Sequence, residues 1–136
     1  MEAALDVRAR RVGVDQDADA NERPERHRFP FDARRRRMSV VAGDTILVKG
    51  APDAVLPRCS ATAGADDALH ELAARGLRVL AIATRPVGGS FPLDADDAER
   101  DLELLGLVAL EDPPRPGVGD AIAACRRAGI RIAVVT

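Results

Sequence analysis

The chain has 136 residues, a formal net charge of −2, and contents of 46% hydrophobic and 31% charged residues. This length suits about one domain with a core of its own, and the composition excludes a disordered chain. The charge gives no basis for binding nucleic acid or an anionic membrane, and no apolar run is long enough to span a bilayer. Cys59 and Cys125 lack metal-site spacing, so we expect buried, reduced thiols and no metal centre.

Good helix formers open the chain and predict a first helix from Glu2 to Val12. They do not follow the charged, apolar and small-residue order of a signal peptide, so we expect a cytosolic segment. The stretch from Gly13 to Arg28 is rich in charge and almost without apolar residues, and it predicts a solvated loop.

A strand from Arg28 to Asp32 leads into four consecutive arginines, Arg34 to Arg37. Basic turns between strands are usually solvated, and acidic residues flank this one, so we reject a nucleic-acid interface. Such a turn beside a pocket could still attract the phosphates of a mononucleotide.

Two β-branched runs, Met38 to Ala42 and Thr45 to Lys49, are separated by Gly43 and Asp44, which predicts a hairpin with a primed turn. Alternation along the second strand places Lys49 on the face opposite Ile46 and Val48. The small residues Gly50 and Ala51 come directly after this lysine, where they would let a ligand approach the backbone.

The next segments predict a short helix from Pro52 to Cys59, a helix from Asp66 to Ala74 with Asp66 as its N-cap, and a strand from Leu77 to Thr84. Arg78 interrupts the apolar run of that strand. It is either an edge arginine that reaches water or a contact for an anion, and the pattern leaves both open. An acidic stretch, Asp94 to Arg100, predicts one helical turn.

The final third of the chain has a different pattern. Continuous apolar strands at Leu104 to Leu110 and Ile130 to Val135 flank a helix from Val118 to Ala128, which predicts a parallel βαβ unit. We therefore expect an α/β protein with two parts, an antiparallel α+β domain over residues 1–101 and a partial parallel unit over 102–136. Asp112 follows the first of these strands and indicates either a ligand site or, with its neighbouring prolines, a rigid hinge.

Four segments in order, FPFDARRRRMSVV, VKGAPDAVLPRC, GLRVLAIA and GLVALEDPPRPGVGDAIAACRRAGIRIAVVT, resemble the nucleotide-binding domain and the adjoining phosphorylation-domain segment of P-type ATPases. These are cation pumps that form an aspartyl phosphate. The DPPR and AGIR…VVT motifs are most similar to the type II branch, which includes calcium pumps. The chain carries neither a GxxxxGK[ST] phosphate loop nor a dinucleotide fingerprint, so ATP would be bound by other means.

The resemblance implies a role for each matching residue. Phe31 would stack on adenine, Lys49 would lie along the purine above a floor of Gly50 and Ala51, and Glu2 would accept from the exocyclic amine. Arg36 and Arg78 would reach the phosphates. The hinge and phosphate side of the site would hold Asp112, Arg115 and Thr136.

The resemblance also implies what lies outside this chain. The DKTGT segment whose aspartate is phosphorylated is absent from the sequence, so we expect no catalytic residue here and a fragment that binds ATP without hydrolysing it. Mg²⁺ would accompany the nucleotide, with most ligands in the rest of the pump, which is also the expected partner. Two alternatives stay open: a regulatory ATP-binding module and a fragment of a haloacid-dehalogenase-like phosphatase, although the DxD motif of the latter is missing.

Overall fold

The computed structural model describes residues 2–111 and 113–134, with side chains from residue 5 onward. Six α-helices and five β-strands follow one another along this part of the chain. Their order is α1 (Glu2–Arg11), α2 (Gln16–Glu22), β1 (Glu25–Asp32), β2 (Arg37–Ala42), β3 (Thr45–Gly50), α3 (Pro52–Val55), α4 (Ala65–Ala74), β4 (Arg78–Pro86), α5 (Ala95–Ala98), β5 (Glu103–Leu110) and α6 (Val118–Arg127). A 3-10 turn, Leu56–Arg58, continues α3.

One sheet organises the fold. Its five strands lie in sequence order, β1-β2-β3-β4-β5, and every neighbouring pair is antiparallel. The hairpin of β2 and β3 forms as predicted: Ala42 pairs with Thr45, and Gly43 takes the positive φ of 56° that the tight turn requires. The mixture of helices with this sheet confirms the α/β class.

The core lies on one face of the sheet. Alternate residues of the hairpin, among them Val41, Ile46 and Val48, are buried there, as strand alternation predicts. Strand β4 adds Ala81 and Ala83, and the short helices and loops after β3 and before β5 contribute the rest of the core cluster, including Val55 and Leu102. The opposite face of the central strands is therefore left for other contacts.

Two local predictions from the sequence, one of a loop and one of a helix N-cap, are wrong. The expected loop between residues 13 and 28 contains α2, because the Asp15 side chain accepts from the backbone N–H groups of Asp17 and Ala18 and so caps a helix that has no buried residue. Helix α4 begins after Gly64, whose left-handed φ of 76° starts the helix, so Asp66 lies in the first turn instead of at the N-cap.

The predicted βαβ unit also differs from the structure. The strand at residues 104–110 forms as β5, but it pairs antiparallel with β4 as the last strand of the single sheet, and residues 130–134 form no strand. An apolar run indicates burial without fixing strand direction. The long connection from β4 returns the chain beside β4, whose outer edge accepts β5 in the antiparallel sense.

Both cysteines are free thiols and are half-buried, less than expected. Burial raises the pKa of the Cys59 thiol, whose Sγ lies 3.4 Å from the carbonyl oxygen of Val55. None of the helices in the described part of the chain has the length and apolarity to cross a bilayer.

Candidate functional site

A cavity of about 450 Å³ opens beside the middle strands of the sheet. Its walls come from the end of β1, the turn before β2 and the start of that strand, the end of β3 with the residue after it, and the start of β4. The lining residues are Phe31, Arg36, Met38, Lys49, Gly50, Ala51, Arg78, Val79 and Leu80. Six of the seven residues for which the sequence resemblance implies nucleotide contact are thus brought together in one cavity.

Strand alternation explains why the cavity lies on this face. Met38 pairs with Lys49, and Lys49 pairs with Ile82, two residues from Leu80 in the same strand. Side chains two apart in a strand share a face, so these residues lie opposite the buried Val48 and form an apolar surface around one lysine. The result is a largely apolar wall that carries a cation.

Phe31 forms an exposed part of this wall. It lies one residue before the end of β1, and 63% of it is accessible to solvent. An aromatic ring this exposed contributes little to the core, and it offers a flat apolar surface on which a planar ring could stack.

The turn between β1 and β2 brings Arg36 to the cavity. Arg36 has a left-handed backbone with φ 53°, and its guanidinium forms an ion pair of 2.7 Å with Asp53 in α3. Both side chains are more than half exposed, so the pair is worth about 0–1 kcal/mol. A weak pair of this kind leaves the Arg36 guanidinium able to exchange the Asp53 carboxylate for another anion.

Asp32 shapes the same turn. Its Oδ1 accepts from the backbone N–H groups of Arg34 and Arg35, each at 2.9 Å. The hydrogen bond from the Arg35 backbone, followed by that from Arg34 and the charges of both arginines, lowers the pKa of the Asp32 carboxyl. The carboxylate therefore stabilises the turn that carries Arg36.

Gly50 is required by packing. A Cβ built on Gly50 would lie 2.4 Å from the Cβ of Arg37 and 2.7 Å from the carbonyl oxygen of Arg36. The sequence suggested that this glycine lets a ligand approach the backbone; the structure shows that β2 itself approaches it. Ala51 follows, and its N–H donates to the Arg36 carbonyl at 2.9 Å, which joins the floor of the cavity to the arginine turn.

Arg78 opens β4 and is exposed at the cavity. Arg78 both reaches water and lines the cavity, so the two interpretations from the sequence stay open. With Arg36 and Lys49 it gives the site three cationic side chains, and the lining includes no carboxylate, histidine, cysteine or hydroxyl side chain among the described residues. This arrangement suits binding of an anionic ligand that also has a flat apolar part.

The remaining residues predicted from the resemblance are not among the described residues that line the cavity. Asp112 and Thr136 lie outside the described residues, and the structure describes Glu2 only as part of the backbone of α1. Arg115 is exposed and is not among the residues that line the cavity. No group of three or more His, Cys, Asp or Glu side chains able to hold a metal ion occurs within residues 2–111 and 113–134.

Sequence reasoning missed Met38, Val79 and Leu80 as lining residues. Met38 could have been predicted from the hairpin, because the two-residue turn pairs Met38 with Lys49, and directly paired residues have their side chains on the same face of the sheet. Leu80 could be placed only with the register of β3 against β4, which no local pattern specifies.

The sheet and its cavity define an α/β domain with a largely apolar cavity lined by three cationic side chains. Residues 1–117 match the family model described as P-type ATPase, cytoplasmic domain N. The chain therefore belongs to the P-type ATPase family.

Relatives with established names agree with this assignment. A calcium-transporting ATPase of Bacillus subtilis is 34% identical over 154 aligned residues, which cover 99% of this chain and 17% of the relative. The sodium/potassium exporting P-type ATPase cta3 of Schizosaccharomyces pombe is 37% identical, over 79% of this chain and 12% of its own length. A probable cation-transporting ATPase F of Mycobacterium bovis is 34% identical, over 99% and 17%. The chain thus spans about a sixth of the length of such relatives.

Proposed function

We propose that this chain is the ATP-binding portion of a cation-transporting P-type ATPase of the type II, calcium-pump-like branch. It presents ATP on the cytoplasmic side to a phosphorylatable aspartate elsewhere in the pump. The observation that carries the proposal is the cavity, in which one exposed aromatic ring and three cations meet on an apolar sheet face. The family match to domain N supports it independently.

Each cavity residue then has a role in binding ATP. Adenine stacks on Phe31, and Lys49 lies along the purine, with Gly50 and Ala51 beneath it. Arg36 and Arg78 contact the phosphates, where Arg36 exchanges the Asp53 carboxylate for phosphate oxygens. The apolar wall suits the base, and the cations suit the triphosphate, so the described lining fits ATP at both ends.

Three further assignments belong to this proposal. Glu2 accepts from the exocyclic amine of adenine, and Asp112, Arg115 and Thr136 lie on the hinge and phosphate side. Mg²⁺ arrives with the nucleotide and takes its protein ligands mostly from the remainder of the pump, which is the partner of this chain.

The proposal includes a boundary between two domains, with residues 1–101 as the nucleotide-binding domain and residues 102–136 as the start of a phosphorylation domain. The sequence change between Asp101 and Pro116 supports a boundary in that interval. A boundary at residue 101 would separate β5 from its partner β4, because the two strands pair through Leu110. We therefore move the proposed boundary to the end of the interval, between Leu110 and Pro116.

A nucleotide titration of the purified chain, followed calorimetrically and by backbone NMR, tests the proposal. We expect saturable ATP binding, with the largest shifts at the cavity residues and no phosphate release, because the cavity lining described here offers no nucleophile. Absence of binding would contradict the proposal. Steady phosphate release that copurifies with the chain and is abolished by Asp112→Asn would favour a self-contained hydrolase instead.

A further inference from the structure

The core face of the sheet buries a carboxylate beneath the cavity. Glu99, which directly follows α5, is 0% exposed. Its Oε2 accepts from Arg37 Nε at 2.6 Å, and its Oε1 accepts from Ser39 Oγ at 3.0 Å and from Arg35 Nη1. Both oxygens of this buried carboxylate thus accept hydrogen bonds from β2 and from the turn before it.

The partners of Glu99 continue the connection along that turn. Arg35 Nη2 donates to the carbonyl oxygen of Pro30 at 2.7 Å, and Arg37 Nη1 donates to the carbonyl oxygen of Arg35 at 3.0 Å. Pro30 directly precedes Phe31. The Glu99 carboxylate therefore bonds both arginines that connect the strands flanking the turn. Arg37 has a second carboxylate partner in Asp96, whose Oδ1 accepts from Arg37 Nη2 at 3.4 Å.

The turn is connected on its other side to the cavity. The N–H of Arg36 donates to the carbonyl oxygen of Asp32 at 2.6 Å, and the N–H of Ala51 donates to the carbonyl oxygen of Arg36 at 2.9 Å. Arg35 and Arg37 are not among the lining residues. Their connection to the cavity runs through the backbone between Phe31 and Arg36.

Glu99 itself is held in place by a third arginine. Arg58, in the 3-10 turn after α3, donates from Nη1 to the Glu99 carbonyl oxygen at 3.0 Å and from Nη2 to Asp96 Oδ1 at 3.1 Å. Hydrogen bonds therefore hold both the backbone and the side chain of Glu99.

We propose that Glu99 is a positioning residue for the nucleotide site: through Arg35 and Arg37 it fixes the turn that presents Phe31 and Arg36 to the ligand. This inference rests on the proposed function, since it assigns a role within that site. Glu99 lies on the face of the sheet opposite the cavity and acts on the ligand only through the turn.

Four variants test the inference. Glu99→Gln keeps the shape and removes the charge that faces two arginines. Arg35→Met removes one connection at a side chain that is 21% exposed, so we expect it to fold even if Glu99→Gln does not. Arg35→Lys restores the charge at that position. Glu103→Gln is the matched control, because Glu103 is an exposed carboxylate four residues from Glu99.

Binding of ATP and of adenosine is measured for each folded variant. We expect Glu99→Gln and Arg35→Met to weaken both ligands by about fivefold or more, Arg35→Lys to recover part of the loss, and Glu103→Gln to stay within about twofold. Weaker binding of adenosine is the informative result, because adenosine has no phosphate. A loss of its affinity shows that the substitution affects the base-binding part of the site, including Phe31, and not only a contact to phosphate. Unchanged adenosine binding by folded Arg35→Met would overturn the inference.

Amide exchange without nucleotide gives a second readout. The Arg36 and Ala51 amides should exchange faster in Arg35→Met, while the Val87 amide, bonded to the Asp44 carbonyl at 2.9 Å at the far end of the hairpin, should not change. Equal exchange of Arg36 and Ala51 in wild type and variant would contradict positioning by this network. If wild type fails to bind nucleotide, the proposed function fails, and the exchange comparison alone decides whether Glu99 fixes the turn.

Discussion

Gly50 and Arg37 approach so closely that a Cβ on Gly50 would lie 2.4 Å from the Cβ of Arg37. The two residues are registered partners of β3 and β2, and Arg37 is also bonded to the buried Glu99. The backbone of β2, the buried network and the floor of the cavity are therefore in contact at one point. We therefore expect a change in one of them to affect the others.

Gly50→Ala should consequently destabilise the protein. The clash is with backbone atoms and a Cβ, which cannot rotate away, so we expect a loss of about 1–3 kcal/mol in the free energy of unfolding. Urea unfolding measures it. Gly89→Ala is the control, because nothing lies within 4 Å of a Cβ there, and it should change stability by less than about 0.5 kcal/mol. Equal stability of the two variants would contradict the close approach.

Phe31→Ala should weaken ATP binding and leave stability nearly unchanged. Stacking a base on an aromatic ring is worth about 1–3 kcal/mol, which corresponds to about 5- to 150-fold in affinity. Because 63% of Phe31 is exposed, its loss removes little core packing. Titration and thermal unfolding of the same sample separate the two effects.

Phe91→Ala is the matched control for Phe31→Ala. Phe91 contacts His27 and the Arg26 guanidinium, and it is not among the residues that line the cavity. Its removal should leave ATP affinity within about twofold. A Phe31→Ala protein that stays folded and binds ATP as tightly as wild type would remove Phe31 from the site.

Arg78→Ala should cost less affinity than Phe31→Ala. Arg78 is exposed, and exposed ion pairs typically contribute about 0–1 kcal/mol. Its effect should also shrink as salt rises from about 0.1 M to 1 M, because the Debye length falls from about 10 Å to about 3 Å. For the same reason AMP and ATP should bind the wild type within about tenfold of each other. A salt-independent loss larger than that of Phe31→Ala would show that phosphate contacts dominate.

The sequence predicted the antiparallel hairpin because both signals are local: alternation in the strands and a glycine in the turn. It also grouped Phe31 with Lys49, through family resemblance, although no local pattern connects them. Glu99 could not be found in this way. It lies in an acidic stretch typical of a solvent-exposed segment, and it is buried because the fold brings it against Arg37 and Ser39 of β2, about 60 positions earlier.

The direction of β5 shows a similar limit. Seven apolar residues in a row predict a buried strand, and β5 forms. Whether it runs parallel to a strand after α6 or antiparallel to β4 depends on which partner is present, and the local pattern is the same in both cases. The role of Arg37 was missed because four consecutive arginines cannot be told apart in the sequence. In the structure Arg36 is more than half exposed, whereas Arg37 is only 5% exposed.

Acid should loosen the turn between β1 and β2. The pKa of Asp32 is lowered in the folded protein by the hydrogen bonds from Arg35 and Arg34, so its carboxylate stabilises the fold above the unfolded value near 3.8. That contribution is lost as the pH falls below this value and through the lowered folded pKa. Amide exchange at Arg34 and Arg35 should therefore be unchanged between pH 7 and 5, after correction for intrinsic rates, and should accelerate below about pH 4.

Asp32→Ala should remove the acid sensitivity of the turn. Without the acceptor, the Arg34 and Arg35 amides should exchange fast at every pH. Asp67→Ala, at an exposed position in α4, is the control and should keep the wild-type profile. The same acid response in Asp32→Ala as in wild type would assign the titration to another group.

Protection from amide exchange should end after Leu110. Residues of β5 pair with β4 from Glu103 to Leu110, so their amides should be protected together with the sheet. Helix α6 has 10 residues and none is buried, and helices shorter than about 12–15 residues are marginal in water without tertiary packing. We therefore expect the α6 amides to exchange far faster than those of β5, when both are measured by NMR in the monomeric chain. Equal protection of α6 and β5 would show that residues 113–134 pack as firmly as the sheet, and it would contradict a domain boundary between Leu110 and Pro116.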